Sequence, residues 1–228
     1  MALICFDLDG TLVDPLPAVE HCLKLTCTEL DLPCPPTSEM AACIGQGSGD
    51  LFAALPGMGD PARLSAVLER FWSLFAEQGI VRHRIYDGVL LLLARLKHQG
   101  HRLYAVSCKP QRFARQVLHQ FDALLAFDDV FGSSPLTPWQ AKDQVVAALR
   151  EQGILQPGGF LVGDRGNDMA AARANGLVPL GVSYGFGTVD ELRAGGAERV
   201  FATVAELDDW FKETLQGPEI HDSFAHSE

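Results

Sequence analysis

Short, continuous apolar runs recur along this chain, and they restrict its fold more than any other feature does. Four of them are long enough to form strands: residues 3–6, 103–106, 160–162 and 177–182. Residues 129–131 are a weaker fifth candidate. Strands of a parallel sheet are buried on both faces, and they show this continuous pattern rather than an alternation of apolar and polar residues.

Helical patterns lie between the apolar runs, and most of them end at a glycine, the usual residue just past a helix. They cover residues 88–99, 111–120, 140–152, 167–175 and 189–194. An alternation of strands and helices predicts an α/β fold with a doubly wound parallel sheet. The leucine run at residues 90–93 is expected to pack against that sheet.

Residues 15–84 interrupt the alternation, because no strand pattern occurs in them. Helices are predicted over residues 18–30, 38–43 and 61–78, with a glycine-rich loop at residues 44–50. We therefore expect an all-helical insertion at 15–84 in a core made of residues 1–14 and 85–215, with the chain rejoining the sheet near residues 85–88. Residues 216–228 are polar and are predicted to be a disordered tail.

The charge of the chain limits its partners. The formal net charge is -11 over 228 residues. Nucleic acids and anionic membranes bind clusters of lysine and arginine, so neither is expected as a main partner. An anionic small molecule would need positive charge supplied locally by its site.

Cysteine usage and the N-terminus indicate a cytoplasmic protein. The six cysteines form no C-x-x-C pair, and the apolar neighbours of Cys5 and Cys43 indicate buried thiols in a reducing compartment. The N-terminal MALICF is too short for a signal peptide, and residues 89–96 are too short to cross a membrane. The seven histidines are scattered without metal-ligand spacing and are expected at the surface.

Acidic side chains follow two of the predicted strands. Asp7 and Asp9 come after the first strand, and Asp164 and Asp168 come after the strand at 160–162. The carboxyl ends of parallel strands meet at one edge of the sheet, where ligands bind. Four carboxylates at one edge require a cation, and oxygen ligands without histidine or thiolate are typical of Mg²⁺.

The neighbouring residues suit a phosphoryl group. Gly10 and Thr11 are expected to present free backbone N–H groups, Ser107 adds a hydroxyl, and a lysine would neutralise phosphate charge. An aspartate can act as the nucleophile in phosphoryl transfer and form an aspartyl-phosphate. A second carboxylate two residues later can protonate the leaving alcohol and then activate water.

Three motifs carry a family resemblance that runs from about residue 2 to residue 215. DLDGTLVD at residues 7–14 resembles the first motif of the haloacid dehalogenase superfamily, Ser107 stands at its second motif, and GDRGND at residues 163–168 resembles its acidic motif. The chain is similar to the capped, phosphoglycolate-phosphatase-like hydrolases. The resemblance implies a Rossmann-like core, with the insertion at 15–84 as a mobile helical cap domain of the C1 type.

The resemblance also implies roles for individual residues. Asp7 would be the nucleophile and Asp9 the general acid and base. Mg²⁺ would be bound by the side chains of Asp7 and Asp164 and by the backbone carbonyl of Asp9, with Asp168 bound directly or through water. Ser107 would bind phosphate. The residues expected to contact the substrate are Gly10, Thr11, Cys108, Lys109 and Gln46.

Some of these assignments leave alternatives open. Residues 132–149 resemble the stretch in which the superfamily places a lysine at the start of a helix, which selects Lys142 as the main phosphate-neutralising residue and leaves Lys109 as an auxiliary charge. Cys108 replaces an asparagine of many relatives, so only its backbone N–H is expected to bind substrate. Gln46 and Ser48 either contact the leaving group or belong to a plain flexible loop. Arg165 either covers the mouth of the site or is solvated, and the second is slightly favoured.

These residues together predict a Mg²⁺-dependent phosphatase that hydrolyses a small phosphorylated metabolite, such as a phosphoglycolate-like, nucleotide or sugar phosphate, through an aspartyl-phosphate. A phosphomutase of the same superfamily is the alternative. A receiver-like phosphoacceptor or binding module is a further one, but it would need an aspartate directly after residues 103–106, and none is present. The oligomeric state is expected to be a monomer or a homodimer.

Overall fold

The computed structural model describes residues 1–46, 52, 55, 60–133 and 142–215. The helices it contains within these residues are α1 (Leu16–Glu29), α2 (Thr37–Cys43), α3 (Pro61–Leu74), α4 (Val89–His98), α5 (Gln111–Gln120), α6 (Lys142–Glu151), α7 (Gly166–Ala174), α8 (Val189–Gly195) and α9 (Val204–Thr214). The strands are β1 (Leu3–Phe6), β2 (Val13–Asp14), β3 (Arg84–Ile85), β4 (Arg102–Pro110), β5 (Asp129–Ser133), β6 (Phe160–Gly163), β7 (Val178–Val182) and β8 (Arg199–Phe201).

The main sheet has six strands in the order β5-β4-β1-β6-β7-β8. Every neighbouring pair in it is parallel. The central strand β1 pairs with β4 on one side, where Cys5 is in register with Tyr104, and with β6 on the other, where Phe6 is in register with Val162. The predicted α/β fold with a parallel sheet is therefore confirmed.

Both faces of the sheet are covered, because alternate side chains of each strand point to opposite sides. From β1, Ile4 and Phe6 join a cluster that contains buried residues of α4, α5 and α9. Cys5, on the opposite face, joins a cluster with buried residues of α6 and α7. This two-sided burial explains why the strands have continuous apolar sequences.

The helices α1, α2 and α3 form a separate layer with its own apolar cluster. After α3 the chain continues through a π-helical turn, Phe75–Gly79, and a 3₁₀ turn, Ile80–Arg82. The helix predicted over 61–78 is therefore α-helical only to Leu74. The layer contacts the rest of the chain through Trp72, whose ring stacks on Phe113 of α5 with centroids 5.0 Å apart and planes inclined by 15°.

The return of the chain from the helical layer differs from the prediction. The strand β3 does not rejoin the main sheet near residues 85–88, but pairs with β2 in a separate antiparallel sheet, with Val13 opposite Ile85. The reason is that β1 is already hydrogen-bonded on both edges by β4 and β6. The outgoing and returning segments therefore satisfy their backbone groups with each other.

Two elements near the end of the chain were not predicted. The strand β8 has three residues and begins with the charged Arg199, so it lacks a continuous apolar run. The helix α9 begins after Thr203, whose hydroxyl oxygen accepts a hydrogen bond from Glu206 N at 3.1 Å, and Glu206 in turn accepts from Ala202 N. This capping interaction has a T-x-x-E signature, so the sequence contained a signal for the start of α9. The predicted tail at 216–228 lies outside the described residues.

Two further sequence-based expectations concern cysteines and membranes. All six cysteines lie in the described part of the chain, and none of them forms a disulfide. Cys5 is buried as expected, whereas Cys43 is only partly buried. Within the described ranges, no helix combines the length and the apolar character needed to cross a bilayer.

The leucine run of α4 provides a test of packing, because only half of it faces the sheet. Leu93 is 1% exposed and Leu91 is 72% exposed. We expect Leu93→Ala to lower the free energy of unfolding by about 2–5 kcal/mol, since it removes buried methyl groups and leaves a cavity. The control Leu91→Ala, on the same helix, should change it by less than about 0.5 kcal/mol in urea unfolding. Equal losses in both variants would contradict this orientation of α4.

Candidate active site

Four charged residues meet at the carboxyl edge of the sheet. Asp7 follows β1 and is fixed by its backbone N–H, which donates to Val162 O at 2.8 Å. Lys142 is the first residue of α6, and its Nζ lies 2.5 Å from Asp7 Oδ1 and 2.5 Å from Asp168 Oδ1. Asp164 follows β6. All four side chains are buried.

The three carboxylates are arranged to hold a cation. Asp7, Asp164 and Asp168 each offer a carboxylate oxygen, and these oxygens lie within 4.8 Å of one another. Asp7 Oδ2 and Asp164 Oδ1 are buried and have no hydrogen-bond partner among the described residues. Three carboxylates and one ammonium group leave two uncompensated negative charges. A divalent ion with a preference for oxygen ligands, such as Mg²⁺, fits both the charge and the donor set.

The pKa values of the cluster reflect this shortage of positive charge. Burial raises the pKa of Asp7 to about 7, although Lys142 opposes the rise, and the neighbouring charges of Asp168 and Asp9 add to it. Burial, together with Asp7 and Asp168, also raises the pKa of Asp164 well above its usual value. Burial alone would lower the pKa of Lys142, but Asp168 and Asp7 outweigh it and raise that pKa.

The side chain of Asp9 lies outside this cluster and is paired with Lys109. Lys109 Nζ donates to Asp9 Oδ1 at 2.7 Å, lies 3.0 Å from His83 Nε2, and sits 5.1 Å from the centroid of the Phe75 ring. His83 and Phe75 belong to the segment through which the chain leaves the helical layer. Lys109 therefore connects Asp9 to that segment.

The hydrogen bonds of His83 determine which ring nitrogen carries the proton. His83 Nδ1 lies 3.2 Å from Gly79 O and 3.1 Å from Ile80 O. Carbonyl oxygens only accept, so Nδ1 must be the donor and Nε2 presents a lone pair to the Lys109 ammonium group. Burial, together with the positive charge of Lys109, lowers the pKa of His83 to about 4, so the ring is neutral at pH 7.

The expectation that all histidines lie at the surface is wrong for two of them. His83 and His101 are buried, and His101 Nδ1 accepts a hydrogen bond from Ala2 N at 3.0 Å. His83 was missed because its partner Lys109 is 26 residues away. Only the fold brings the two together, and no local pattern around either residue indicates the contact.

The turn after Asp9 does not present the free backbone N–H groups that were predicted for it. Gly10 N donates to Val13 O at 2.8 Å, and Thr11 N lies 3.4 Å from Leu8 O, so the Gly10 N–H is not free. The turn closes on itself because Leu12 N and Val13 N also donate to Leu8 O. Thr11 Oγ1, however, is buried without a partner among the described residues.

Gly10 is required in this turn for a different reason. Its φ is +89°, a conformation that side chains disfavour, and an added Cβ would lie 2.5 Å from Asp164 Cγ. Glycine thus lets the turn approach the Asp164 carboxylate closely.

Ser107 and Cys108 both line the cleft beside Asp7 and Asp9. Ser107 Oγ accepts from Lys109 N at 3.1 Å, which leaves its own hydrogen available to donate. Burial raises the pKa of Cys108 to about 11. A raised pKa disfavours the thiolate, the reactive form of a cysteine.

Arg165 is not solvated, contrary to the prediction. It is buried, and its guanidinium group donates to Phe186 O at 3.1 Å and to Ala42 O at 3.3 Å. Next to it, Asn167 Nδ2 donates to Gly45 O at 3.0 Å. The start of α7 is thus hydrogen-bonded to α2 and the loop that follows it.

Gln46 does not reach the cleft beside Asp9 and Ser107. It is exposed, its Nε2 donates to Ala42 O at 3.4 Å, and it borders a second cavity, whose lining also includes Lys142 and Asn167. Ser48 lies outside the described residues.

The buried neutral state of His83 predicts a dependence of stability on pH. The folded-state pKa of about 4 is below the unfolded value of 6.5, so between these values the unfolded chain binds the additional proton and stability is lost as the pH falls. From pH 7 to pH 5 we expect the wild type to lose about 1–2 kcal/mol more than His83→Gln in urea unfolding. The control His98→Gln changes an exposed ring and should behave as the wild type. Parallel curves for the wild type and His83→Gln would refute the prediction.

Comparisons with known proteins agree on the family. A model of the haloacid dehalogenase-like hydrolases matches residues 4–182. A 5'-nucleotidase of Pseudomonas aeruginosa is 31% identical over 90% of this chain and 92% of its own length. A phosphoglycolate phosphatase of Rhodospirillum rubrum is 32% identical over 91% of this chain and 89% of its own.

A solved structure is similar over nearly the whole fold. The crystal structure of a predicted phosphatase from Clostridium acetobutylicum has a TM-score of 0.83 and 28% sequence identity, and the match covers 93% of this chain and 98% of that one. The family match extends over both the parallel sheet and the inserted helices. The chain therefore belongs to the haloacid dehalogenase-like hydrolase family and is an enzyme of its phosphatase branch.

Proposed function

We propose that this enzyme is a Mg²⁺-dependent phosphatase that hydrolyses a small phosphomonoester through an aspartyl-phosphate on Asp7. The observation that carries the proposal is the buried group of Asp7, Asp164 and Asp168, which one lysine compensates only in part. Asp7 also borders a cleft together with Asp9 and Ser107, so the same carboxylate faces both the cation site and the space for a substrate.

In the first step, a carboxylate oxygen of Asp7 forms a bond to phosphorus while the bond from phosphorus to the ester oxygen breaks. Asp9 donates its proton to that oxygen, which leaves as an alcohol. In the second step, Asp9 takes a proton from water as the water oxygen bonds to phosphorus, and the bond between phosphorus and Asp7 breaks. The products are the alcohol and inorganic phosphate, with Asp7 and Asp9 in their initial states.

Mg²⁺ would be held by the side chains of Asp7 and Asp164 and the backbone carbonyl of Asp9, with Asp168 binding directly or through water. Its contribution would be to cancel the negative charge of the carboxylates and of the phosphoryl group. The two unpartnered oxygens, Asp7 Oδ2 and Asp164 Oδ1, support this assignment.

Binding of the phosphoryl group is assigned to donors around the cleft. The hydroxyls of Ser107 and Thr11 and the backbone N–H of Cys108 are proposed as donors, since the Gly10 N–H is occupied. Lys142 is proposed as the main neutralising lysine, because its Nζ contacts the nucleophile Asp7 at 2.5 Å. Lys109 contacts Asp9 instead and is proposed to orient it.

The helices of residues 15–84 are proposed to act as a mobile cap that excludes water from the reaction. Hydrogen bonds from Arg165 to Ala42 O and from Asn167 to Gly45 O are contacts that a closed cap would make. The partner is proposed to be a small phosphorylated metabolite rather than nucleic acid or a membrane, for a cytoplasmic enzyme that is monomeric or homodimeric. The relatives named above are a 5'-nucleotidase and a phosphoglycolate phosphatase, so nucleotides and phosphoglycolate are the first compounds to assay.

The mechanism predicts that both Mg²⁺ and Asp7 are essential. With p-nitrophenyl phosphate as the substrate, we expect EDTA to abolish turnover and added Mg²⁺ to restore it. Asp7→Asn should lower kcat by at least about 10³-fold, because an amide cannot act as the nucleophile. The control Asp209→Asn changes an aspartate whose side chain is 68% exposed and should keep full activity. Turnover that survives EDTA or Asp7→Asn would disprove the mechanism.

The covalent intermediate is tested in the same system with Asp9→Asn. A nitrophenolate leaves without protonation, so the first step survives in this variant while the second step slows. Acid quenching after reaction with phosphate-labelled substrate should leave label on the Asp9→Asn protein and none on Asp7→Asn. Label on neither protein would argue for direct attack by water.

Lys142 and Lys109 are predicted to contribute unequally to kcat. Lys142→Ala should lower kcat by about 10²–10³-fold, because it removes the charge beside the nucleophile, and Lys109→Ala should lower it less. Lys142→Ala also leaves buried carboxylates unpaired, so thermal melts in Mg²⁺ must show that the assayed protein is folded. A larger loss in folded Lys109→Ala than in folded Lys142→Ala would reverse the assignment.

A further inference from the structure

The cleft beside the proposed nucleophile has two chemically different walls. The sheet edge contributes polar groups, among them Asp7, Asp9 and Ser107. The opposite wall, formed by the inserted helices, is aliphatic and aromatic: it contains Val19, Ile44, Phe52, Phe71, Trp72 and Phe75. A phosphoryl group on Asp7 would place the rest of a substrate against this apolar wall.

The aromatic part of the wall is held in place by its own contacts. The Trp72 ring stacks on Phe113 at 5.0 Å, and it contacts Phe71 at 5.0 Å and Phe75 at 5.3 Å in edge-to-face geometry. These residues cannot turn a polar group towards a ligand, because they have none except the indole N–H. The wall therefore discriminates between leaving groups by their shape and by excluding water, and not by hydrogen bonding.

The described residues leave no free cation in the cleft to pair with an anionic leaving group. Among the described residues that line it, Lys109 is the only basic one, and its ammonium group is already bound to Asp9 and His83. Residues 25–62 contain no lysine, arginine or histidine at all. The part of the insertion that includes α2 and the stretch up to α3 thus has no basic side chain to offer to the site.

A charged leaving group would be poorly accommodated in such a cleft. A carboxylate that enters it loses hydration and finds no ammonium or guanidinium partner, which is a costly form of burial. A hydrocarbon group gains by leaving water for the same wall. This difference in the free energy of burial disfavours phosphoglycolate, whose leaving group carries a carboxylate next to the ester carbon.

The size of the cleft adds a second restriction. The cavity has a volume of about 70 Å³. A phosphoryl group and a leaving group of a few carbon atoms, such as one ring, would occupy such a space, whereas a whole nucleoside would extend beyond it.

We propose that the substrate of this enzyme is a phosphomonoester of a compact, uncharged and largely apolar alcohol, and that phosphoglycolate and nucleotides are poor substrates. The inference rests on the proposed phosphatase function, because it assumes that the phosphoryl group reacts at Asp7. It differs from what the names of the relatives suggest, because it follows from the cap residues of this particular chain.

The experiment compares kcat/KM for four esters of primary alcohols: benzyl phosphate, ethyl phosphate, phosphoglycolate and adenosine 5'-monophosphate. Leaving oxygens of one type keep intrinsic reactivity similar, so differences report recognition. We expect benzyl phosphate to exceed phosphoglycolate and adenosine 5'-monophosphate by at least about tenfold. If either of the latter two is the best substrate, the inference is overturned.

Variants locate the selectivity in the apolar wall. Trp72→Leu should lower the ratio of kcat/KM for benzyl phosphate to that for ethyl phosphate by about three- to tenfold, because the ring contact is lost. The control Trp210→Leu removes a ring that packs against Phe160 and Phe211 instead and should leave the ratio unchanged. Each ratio is measured within one protein, so it does not depend on the fraction that is folded. Unchanged ratios in both variants would contradict the role of Trp72.

A second variant adds the missing charge. Ile44 borders the cleft, and Ile44→Lys should raise phosphoglycolate hydrolysis relative to ethyl phosphate hydrolysis. The absence of any rise would count against the charge argument. Hydrolysis of p-nitrophenyl phosphate separates failure of this inference from failure of the proposed function. If the enzyme hydrolyses this ester but prefers phosphoglycolate, only the inference on the substrate is overturned. If it hydrolyses no ester, the proposed phosphatase function is overturned as well.

Discussion

The contact of Lys142 with two buried carboxylates is the interaction on which the site depends. Its ammonium group lies between Asp7 and Asp168, 2.5 Å from an oxygen of each, and it is the first residue of α6. Without a cation between them, these carboxylates could not both be charged in a buried position. The packing of α6 and α7 on this face of the sheet therefore also sets the electrostatics of the acidic edge, and the proposed divalent ion would compensate the charge that Lys142 leaves over.

The two lysines near the site serve different parts of the structure. Lys142 lies within the sheet-and-helix core, where its partners are held by β1 and the start of α7. Lys109 is surrounded by Asp9 on one side and by His83 and Phe75 on the other. His83 and Phe75 belong to the segment that joins the helical layer to the core. Lys109 thus links that segment to the proposed proton donor Asp9.

The sequence predicted the parallel sheet and its acidic edge because both have local signatures. Strands buried on both faces are continuously apolar, and Asp7, Asp9 and Asp164 follow such strands directly. The antiparallel pair of β2 and β3, with two residues each, has no periodicity to detect. Likewise, the pairing of Lys109 with His83 and of Arg165 with Ala42 joins residues 26 and 123 positions apart. Such contacts follow from the assembled fold and have no local signature.

One short segment, the start of α7, contacts the helical layer and also positions a carboxylate of the candidate cation site. The backbone N–H of Arg165 donates to Asp168 Oδ2 at 3.0 Å, so this residue caps the helix that carries Asp168. The side chain of Arg165 reaches Ala42 O, and that of Asn167 reaches Gly45 O. The same turn therefore holds the Asp168 carboxylate with its backbone and holds the helical layer with its side chains. The position of Asp168 and the docking of the helical layer thus both depend on the first turn of α7.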